Sequence, residues 1–275
     1  MTTIADRRAT FRGLHASGCF VSPNPWDIGS ALYLQHLGFK ALASTSAGFA
    51  FTRGLPDNGI GRDAVLAHLA ELVDATDLPI NADFENGFAH DPAGVAESVR
   101  LCAQTGVAGL SIEDSTGNPD APLYDHDHAV ARIRAARAAL DADVMLVGRA
   151  EGFLVGRPDL DDIIRRLRAY ADAGADCLYA PGLRKREQIA AVVDAVAPKP
   201  VNVLVSAPIG LSVADLEALG VRRVSVGGAL ARAAWGGFLR AATEIAERGT
   251  FEALADAAPH ATLQKFFASG TDPSK

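Results

Sequence analysis

Residues 79–114 read PINADFENGFAHDPAGVAESVRLCAQTGVAGLSIED and contain one complete strand–helix–strand unit. Pro79–Phe84 and Gly109–Glu113 are short apolar runs bounded by Gly, Pro or Asp, the pattern of parallel strands buried on both faces. Between them, Asp91-Pro92 predicts an N-cap followed by proline at the first helical position. Gly106 stands where a left-handed C-cap is needed before the next strand.

The same unit recurs in both directions. Upstream lie Cys19–Ser22 and Ala41–Thr45; downstream lie Val144–Arg149, Cys177–Ala180, Val201–Val205 and Arg223–Val226. Helical patterns fill the gaps. Val65, Leu69, Leu72 and Val73 form one apolar stripe; Ile163, Ile164, Leu167 and Tyr170 form another, opposite Asp162 and Arg166. Ser212 is placed to cap a helix, and Gly174 and Gly220, like Gly106, follow helices and precede strands. Eight such units predict an α/β fold, a (β/α)8 TIM barrel. The rival, a doubly wound open sheet, needs a GxGxxG after the first strand, where this chain has Asn24-Pro25-Trp26-Asp27. With no Gly/Ser-rich linker, residues 1–275 read as a single barrel domain with a C-terminal helical tail from about 250.

A 49% hydrophobic content supports a sizeable core, and a net charge of -7 without a Lys/Arg cluster argues against nucleic-acid binding. Arg165, Arg166 and Arg168 read as the solvated side of an amphipathic helix. Cys19, Cys102 and Cys177 are widely spaced and fit reduced thiols in a cytoplasmic protein. The first residues lack an apolar signal core, and no apolar run is long enough for a membrane span.

In a barrel, chemistry gathers at the C-terminal ends of the strands. The third strand ends Asn81-Ala82-Asp83-Phe84-Glu85; alternation points Asn81, Asp83 and Glu85 the same way. The fourth ends Ile112-Glu113-Asp114, so Asp83 and Glu113 fall on adjacent strand ends, within reach of one site. Oxygen donors of this kind suit Mg2+ or Mn2+ and not structural zinc; their bland alternative is helix capping or pairing with arginines. Arg149 ends the fifth strand, where a guanidinium can hold a carboxylate with two parallel bonds or form a salt bridge to Glu113 or Glu151. The second strand runs into Ser46-Ala47-Gly48 and then Gly54-Leu55-Pro56-Asp57, small residues that offer backbone donors to an anion.

With these segments in order, the chain resembles the isocitrate lyase/phosphoenolpyruvate mutase superfamily. The resemblance rests on Ser46-Ala47-Gly48, Gly54–Asp57, Asn81-Ala82-Asp83, Ile112-Glu113-Asp114 and Gly148-Arg149-Ala150, and extends over nearly the whole chain. It implies that Ser46, Ala47 and Gly48 hold the carboxylate of a small 2-oxo acid, with Arg149 and Asn202 also on the substrate. It implies Asp83 and Glu113 as the metal ligands, which Glu85 would join by turning inward to compensate for Asn81, and Arg149, Asp57 and Glu113 in catalysis. The cation would act as a Lewis acid towards an enolate. Homo-oligomers, typically tetramers, are also implied.

Three departures narrow the activity. Ser115–Pro122 lacks the Lys-Lys-Cys-Gly-His loop whose cysteine supplies the proton in isocitrate and 2-methylisocitrate lyases, and no cysteine here is placed to substitute. Asn81 stands where the metal strand is expected to carry its first acid. The sixth strand ends Tyr179-Ala180-Pro181-Gly182, where family members commonly carry glutamate. The gating loop also lacks the Lys-x-Asn-Ser pattern of the phosphonate enzymes. The expected activity is Mg-dependent C–C cleavage or decarboxylation of a small 2-oxo or 2-hydroxy di- or tricarboxylate. The alternatives are P–C bond mutase or hydrolase chemistry on a phosphonate such as phosphonopyruvate, and a non-catalytic 2-oxo acid binding protein.

A Schiff-base aldolase is disfavoured, because Lys40, Lys185, Lys199, Lys265 and Lys275 all fall away from strand ends. Weaker candidates are His90, His126 and His128 as acid–base groups, Tyr124 as a lid and Gly227-Gly228 as a phosphate cradle; Trp235 is read as a core or subunit-contact residue.

Overall fold

The computed structural model describes residues 2–269, so Lys275 and the last residues of the expected domain lie outside the described part. The chain divides into two compact units, one reaching to Leu230 and one starting at Ala231.

The first unit holds eight strands: β1 (Phe20–Ser22), β2 (Leu42–Ala43), β3 (Ile80–Asp83), β4 (Gly109–Glu113), β5 (Met145–Arg149), β6 (Cys177–Tyr179), β7 (Val201–Leu204) and β8 (Arg223–Ser225). Every strand falls inside the run that announced it. All pairings are parallel, in the order β1-β8-β7-β6-β5-β4-β3-β2. The end strands meet where Ala43 N–H donates to the Pro23 carbonyl at 3.0 Å, giving a near-closed TIM-like barrel.

Alternation sorts the side chains into two layers. Leu110, Ile112, Leu146, Leu178, Val203 and Val224 pack outward against helix stripes that include Val99, Leu167, Tyr170 and Ile189. Met145, Val147, Cys177 and Tyr179 form a separate inner cluster. The expected helix signals are present. Asp91 accepts from Gly94 N–H at 2.9 Å with Pro92 opening the helix, and Ser212 accepts from Asp215 N–H at 3.2 Å. Gly106, Gly174 and Gly220 adopt φ of 89°, 106° and 86°, a region glycine enters without a Cβ penalty.

A helix over Ile4–Leu14, which the strand pattern did not announce, precedes the barrel. A Thr3–Asp6 capping box starts it. Its Phe11 is fully buried in the inner cluster, edge-on to Phe20 with centroids 6.2 Å apart. Burying that ring contributes roughly 1.5–3 kcal/mol. Arg7, Arg8 and Arg12 on this helix donate to the Val73, Ala103 and Ala142 carbonyls at 2.6, 3.0 and 2.7 Å, fastening it to the loops around it.

The three arginines expected on a solvated helix face divide. Arg165 and Arg168 are exposed, but Arg166 is buried and reaches Asp114 at 3.1 Å. Its position on the helix face looked solvated because the partner lies far away in sequence.

The second unit continues the helix Ala229–Arg248 and carries a 3-10 turn over Glu252–Asp256 and a helix over His260–Ser269; the expected tail from about 250 lies inside it. Glu244 ties the turn together by accepting from Thr250 Oγ1 and from the backbone N–H of Glu252 and Ala253. Trp235 is 41% exposed, so it is not a core residue. No helix among the described residues is long and apolar enough to cross a membrane.

Candidate active site

Asp83, Glu113 and Arg149 end three consecutive strands, and their side chains meet. Register makes Glu113 and Arg149 Cα partners. Arg149 Nη1 lies 3.0 Å from Asp83 Oδ1, and its Nε lies 3.3 Å from Glu113 Oε2 and also bonds Glu151 Oε1. Of the two roles considered for Arg149, the salt bridge to Glu113 and Glu151 is present, and the guanidinium stands at the strand ends.

The acids outnumber the guanidinium. Burial pushes the Glu113 carboxyl well above the ordinary carboxylate range; Arg149 opposes this, while Glu151, Asp83 and Glu85 add to it. Glu85 is pushed up to about 8 by burial and by the neighbouring charges of Asp83 and Asp57. Arg149 is held firmly cationic despite its burial by Glu113, Glu151 and Asp83. A cluster that raises its own carboxyl groups this far has unmet demand for positive charge. Its donors are all carboxylate oxygens, which fit Mg2+ or Mn2+. Among the described residues no three His, Cys, Asp or Glu side chains are arranged to hold a metal by themselves. One or two carboxylates with water complete a Mg2+ shell in the usual manner, and Asp83, Glu85 and Glu113 are the residues that would supply them.

Two buried arginines brace this mouth from behind. Arg132 Nη1 donates to the Glu113 carbonyl at 3.1 Å, and its Nη2 donates to the Ala89 carbonyl at 3.0 Å and to the Asn86 carbonyl. Arg166 and the Tyr170 hydroxyl both reach Asp114 Oδ2, at 3.1 and 2.7 Å, while Asp114 Oδ1 accepts from Glu151 N–H at 2.8 Å. The backbones carrying Glu85, Glu113 and Glu151 are thus fixed by charge-assisted bonds.

The remaining candidates separate. Ser46 N–H donates to Asp83 Oδ2 at 3.1 Å, so the second-strand loop does reach the acid cluster. Ser44, not singled out from sequence, accepts from Asp83 N–H at 2.8 Å. Ala47 stands beside Gly228, whose added Cβ would meet it at 3.5 Å. Gly48 N–H is spent on Thr45 Oγ1 at 3.2 Å, inside the short helix Ser46–Thr52. Asp57 is exposed and caps its own turn through Asn58 N–H at 3.1 Å; it reaches the cluster only through its charge on Glu85.

Asn202 and Asn81 sit lower, in a polar layer within the barrel. Asn202 accepts from Arg223 Nε at 3.0 Å and donates to Ser225 Oγ at 2.9 Å; Arg223 Nη1 donates to Asn81 Oδ1 at 3.3 Å. Asn81 is thus engaged with Arg223, while Asp83 and Glu85 are the acids that β3 and its following loop contribute to the mouth.

The weaker candidates find other work. Tyr124 is buried against Arg132, its ring centroid 4.0 Å from the guanidinium carbon, and its hydroxyl bonds His90 Nδ1 at 2.6 Å. It is a bracing residue rather than a lid. His128 Nε2 bonds the His90 carbonyl at 2.8 Å and His126 bonds Asp127 at 2.9 Å. Gly227 N–H donates to Asn24 Oδ1 at 2.8 Å, which occupies the donor expected to cradle a phosphate.

Comparison with known proteins gives the family. The phosphoenolpyruvate phosphomutase family model matches residues 11–246. An uncharacterised protein of Mycobacterium tuberculosis is 33% identical over 93% of this chain and 95% of its own length. An oxaloacetate decarboxylase of Paraburkholderia xenovorans is 31% identical over 70% of this chain and 66% of its own. Among solved structures, a provisional lyase/mutase from Burkholderia cenocepacia J2315 superposes with a TM-score of 0.92 at 53% identity, covering 96% of both chains. Oxaloacetate acetylhydrolase in complex with oxalate gives 0.84 at 27% identity, covering 97% of this chain and 95% of that one. Matches spanning the whole barrel, in sequence and in fold together, establish that the chain belongs to the isocitrate lyase/phosphoenolpyruvate mutase superfamily.

Proposed function

We propose that the chain is a divalent-metal-dependent lyase that cleaves or decarboxylates a small 2-oxo or 2-hydroxy di- or tricarboxylate by way of an enolate. The observation that carries this reading is the meeting of Asp83, Glu113 and Arg149 at one strand-end site, with acid in excess over base. Two relatives bear names that involve oxaloacetate, a 2-oxo diacid. Loss of carbon dioxide from such an acid needs only a chelated oxo-carboxylate, and the later protonation of the enolate does not require that the donor be the family's loop cysteine.

When bound, the cation supplies a Lewis acid that stabilises charge on the enolate oxygen. The chain's own residues bind and orient the substrate. Arg149 presents Nε and Nη1 to protein carboxylates, and Nη2 makes none of those bonds. A substrate carboxylate gains a two-pronged clamp by displacing one protein carboxylate from this guanidinium. Ser46 and the small residues behind it let the 2-oxo acid approach the backbone. The assembly is read as a homo-oligomer, a tetramer, which light scattering of the full chain tests.

The reaction is tested by incubating the protein with oxaloacetate, 2-methylisocitrate, 2,3-dimethylmalate and phosphonopyruvate, with and without Mg2+ or Mn2+, while following pyruvate and the second product. We expect metal-dependent release from a carboxylate substrate. Arg149→Lys should lose about 10–100-fold in kcat/KM, the effect of replacing a bidentate charged contact by a point charge. Turnover of phosphonopyruvate alone would reassign the chemistry to P–C cleavage. Metal-dependent binding without turnover would leave a sensor.

A further inference from the structure

Cleavage next to a 2-oxo group leaves an enolate whose carbon must regain a proton. On the reading proposed above, this chain needs a donor, and its thiols cannot serve. Cys102 is buried in the outer layer and Cys177 in the inner one, and burial raises both thiols; Cys19 is raised to about 11 by the same cause. His90 and His128 are engaged in the Tyr124 brace.

Tyr179 is differently placed. It is the last residue of β6 and the Cα partner of both Arg149 on β5 and Asn202 on β7. Its ring lies against the guanidinium read as the substrate clamp, with the Arg149 carbon 5.1 Å from the ring centroid. Its phenol lies near the Ser225 hydroxyl of β8, which favours the ionised form against burial; that hydroxyl accepts from Asn202 Nδ2 at 2.9 Å. On β1, the Cα partner of Ser225 is Ser22, whose Oγ is buried without a hydrogen-bond partner among the described residues. Tyr179 thus stands against Arg149, and further round the barrel wall Ser22 carries polar capacity that protein groups among the described residues leave unfilled.

We propose that Tyr179 is the acid that protonates the enolate carbon. In the decarboxylation, the breaking C–C bond leaves its electron pair in the enolate as carbon dioxide departs. That pair then forms a C–H bond with the phenol proton, and the tyrosinate recovers a proton from solvent water. Ser225 and the Arg149 guanidinium stabilise the transient phenolate, while Glu151 and Asp83 are the nearby negative charges opposing it. Burial pushes the resting phenol up to about 12, so the proton is in place across the neutral range. The sequence showed this position only as a missing glutamate; the tyrosine that replaces it was legible, its partners on β5 and β8 were not.

The test is Tyr179→Phe, assayed with Mg2+ on whichever 2-oxo acid the wild type converts. We expect kcat to fall on the order of 10²–10⁴-fold, the usual worth of a positioned acid, with KM and Mg2+ affinity little changed. Free enol, seen by its ultraviolet absorbance, should precede the keto product. A merely structural role would not release enol. Retained kcat, or a loss shared with KM and Mg2+ binding and no enol, overturns the assignment. Should the phenylalanine variant fail to fold, 3-fluorotyrosine installed at position 179 replaces it. The basic limb of kcat must then move to lower pH, and an unmoved limb overturns the proposal. A wild type that converts no 2-oxo or 2-hydroxy acid removes the lyase reading and this proposal with it; a competent wild type with an unaffected variant removes only the latter.

Discussion

Glu85 combines two features that a side chain rarely carries together. Its φ of 48° lies in the left-handed region, and its carboxyl is pushed up to about 8 by burial, with Asp83 and Asp57 adding to the effect. A non-glycine residue held there costs about 1–3 kcal/mol. The strain persists because Glu113 N–H donates to the Glu85 carbonyl at 3.0 Å and Arg132 holds the carbonyl of the next residue, Asn86. With a folded pKa above the ordinary value of 4.5, the native state keeps a proton that the unfolded chain has lost between pH 4.5 and 8. Stability from this group is therefore full below about pH 4.5 and is lost as pH rises through 8. We predict that metal-free wild type weakens relative to Glu85→Gln as pH rises from 5 to 8.5, by an amount on the order of a few kcal/mol. Urea unfolding at both pH values measures it, and saturating Mg2+ should shrink the gap, because a bound cation favours the ionised carboxylate. A constant gap would mean that Glu85 titrates normally.

Among the elements, the strands were the most legible part of the sequence, because a barrel strand must be apolar on its outer face and bounded by turn residues. Asp83, Glu113 and Arg149 followed from that, being strand-end residues on neighbouring strands. What the sequence hid were choices made one residue apart. Asn81 and Asp83 point the same way, yet only Asp83 reaches the mouth, because the barrel interior has depth and Arg223 claims the lower level. The Arg166–Asp114 and Tyr124–Arg132 pairs were hidden for another reason: no local pattern announces a partner brought in by packing. The Ile4–Leu14 helix did carry a signal, its Thr3–Asp6 capping box, that strand counting passed over. Its docking against the inner layer gives a test. A Cβ on Gly109 would lie 2.9 Å from the Met145 carbonyl oxygen, 3.0 Å from Phe11 Cε1 and 3.1 Å from Asn81 Oδ1. The carbonyl cannot yield without disturbing the β4–β5 pairing, so Gly109→Ala should cost about 1–3 kcal/mol. Denaturant titration should show a lower midpoint with an unchanged slope. An unchanged midpoint would show that Phe11 does not pack this level tightly.

For the molecule as a whole, electrostatics decides what can bind. The chain carries a net charge of -7, and the barrel mouth sets Asp83, Glu85, Glu113 and Glu151 around one guanidinium. A dianionic 2-oxo acid approaching that mouth meets carboxyl groups that either carry like charge or hold protons in its absence, so Arg149 alone makes a poor receptor. A divalent cation reverses the local sign, and the anion in turn completes the cation's oxygen shell. The two ligands should therefore bind with strong mutual dependence, and thermodynamic linkage makes that dependence equal in both directions. Oxalate, a dianion that cannot be cleaved at a 2-oxo position, is a suitable probe. We predict that saturating Mg2+ tightens oxalate binding by roughly 5–150-fold, the ordinary range of coupling energies, and that oxalate tightens Mg2+ binding by the same factor. Calorimetric titration of each ligand in the presence and absence of the other measures both factors. Unfolding temperature should rise further with the pair than the two separate increments add up to, since both ligands favour the folded state. Oxalate binding that is indifferent to Mg2+ would place the anion away from the acid cluster and break the link between this geometry and enolate chemistry.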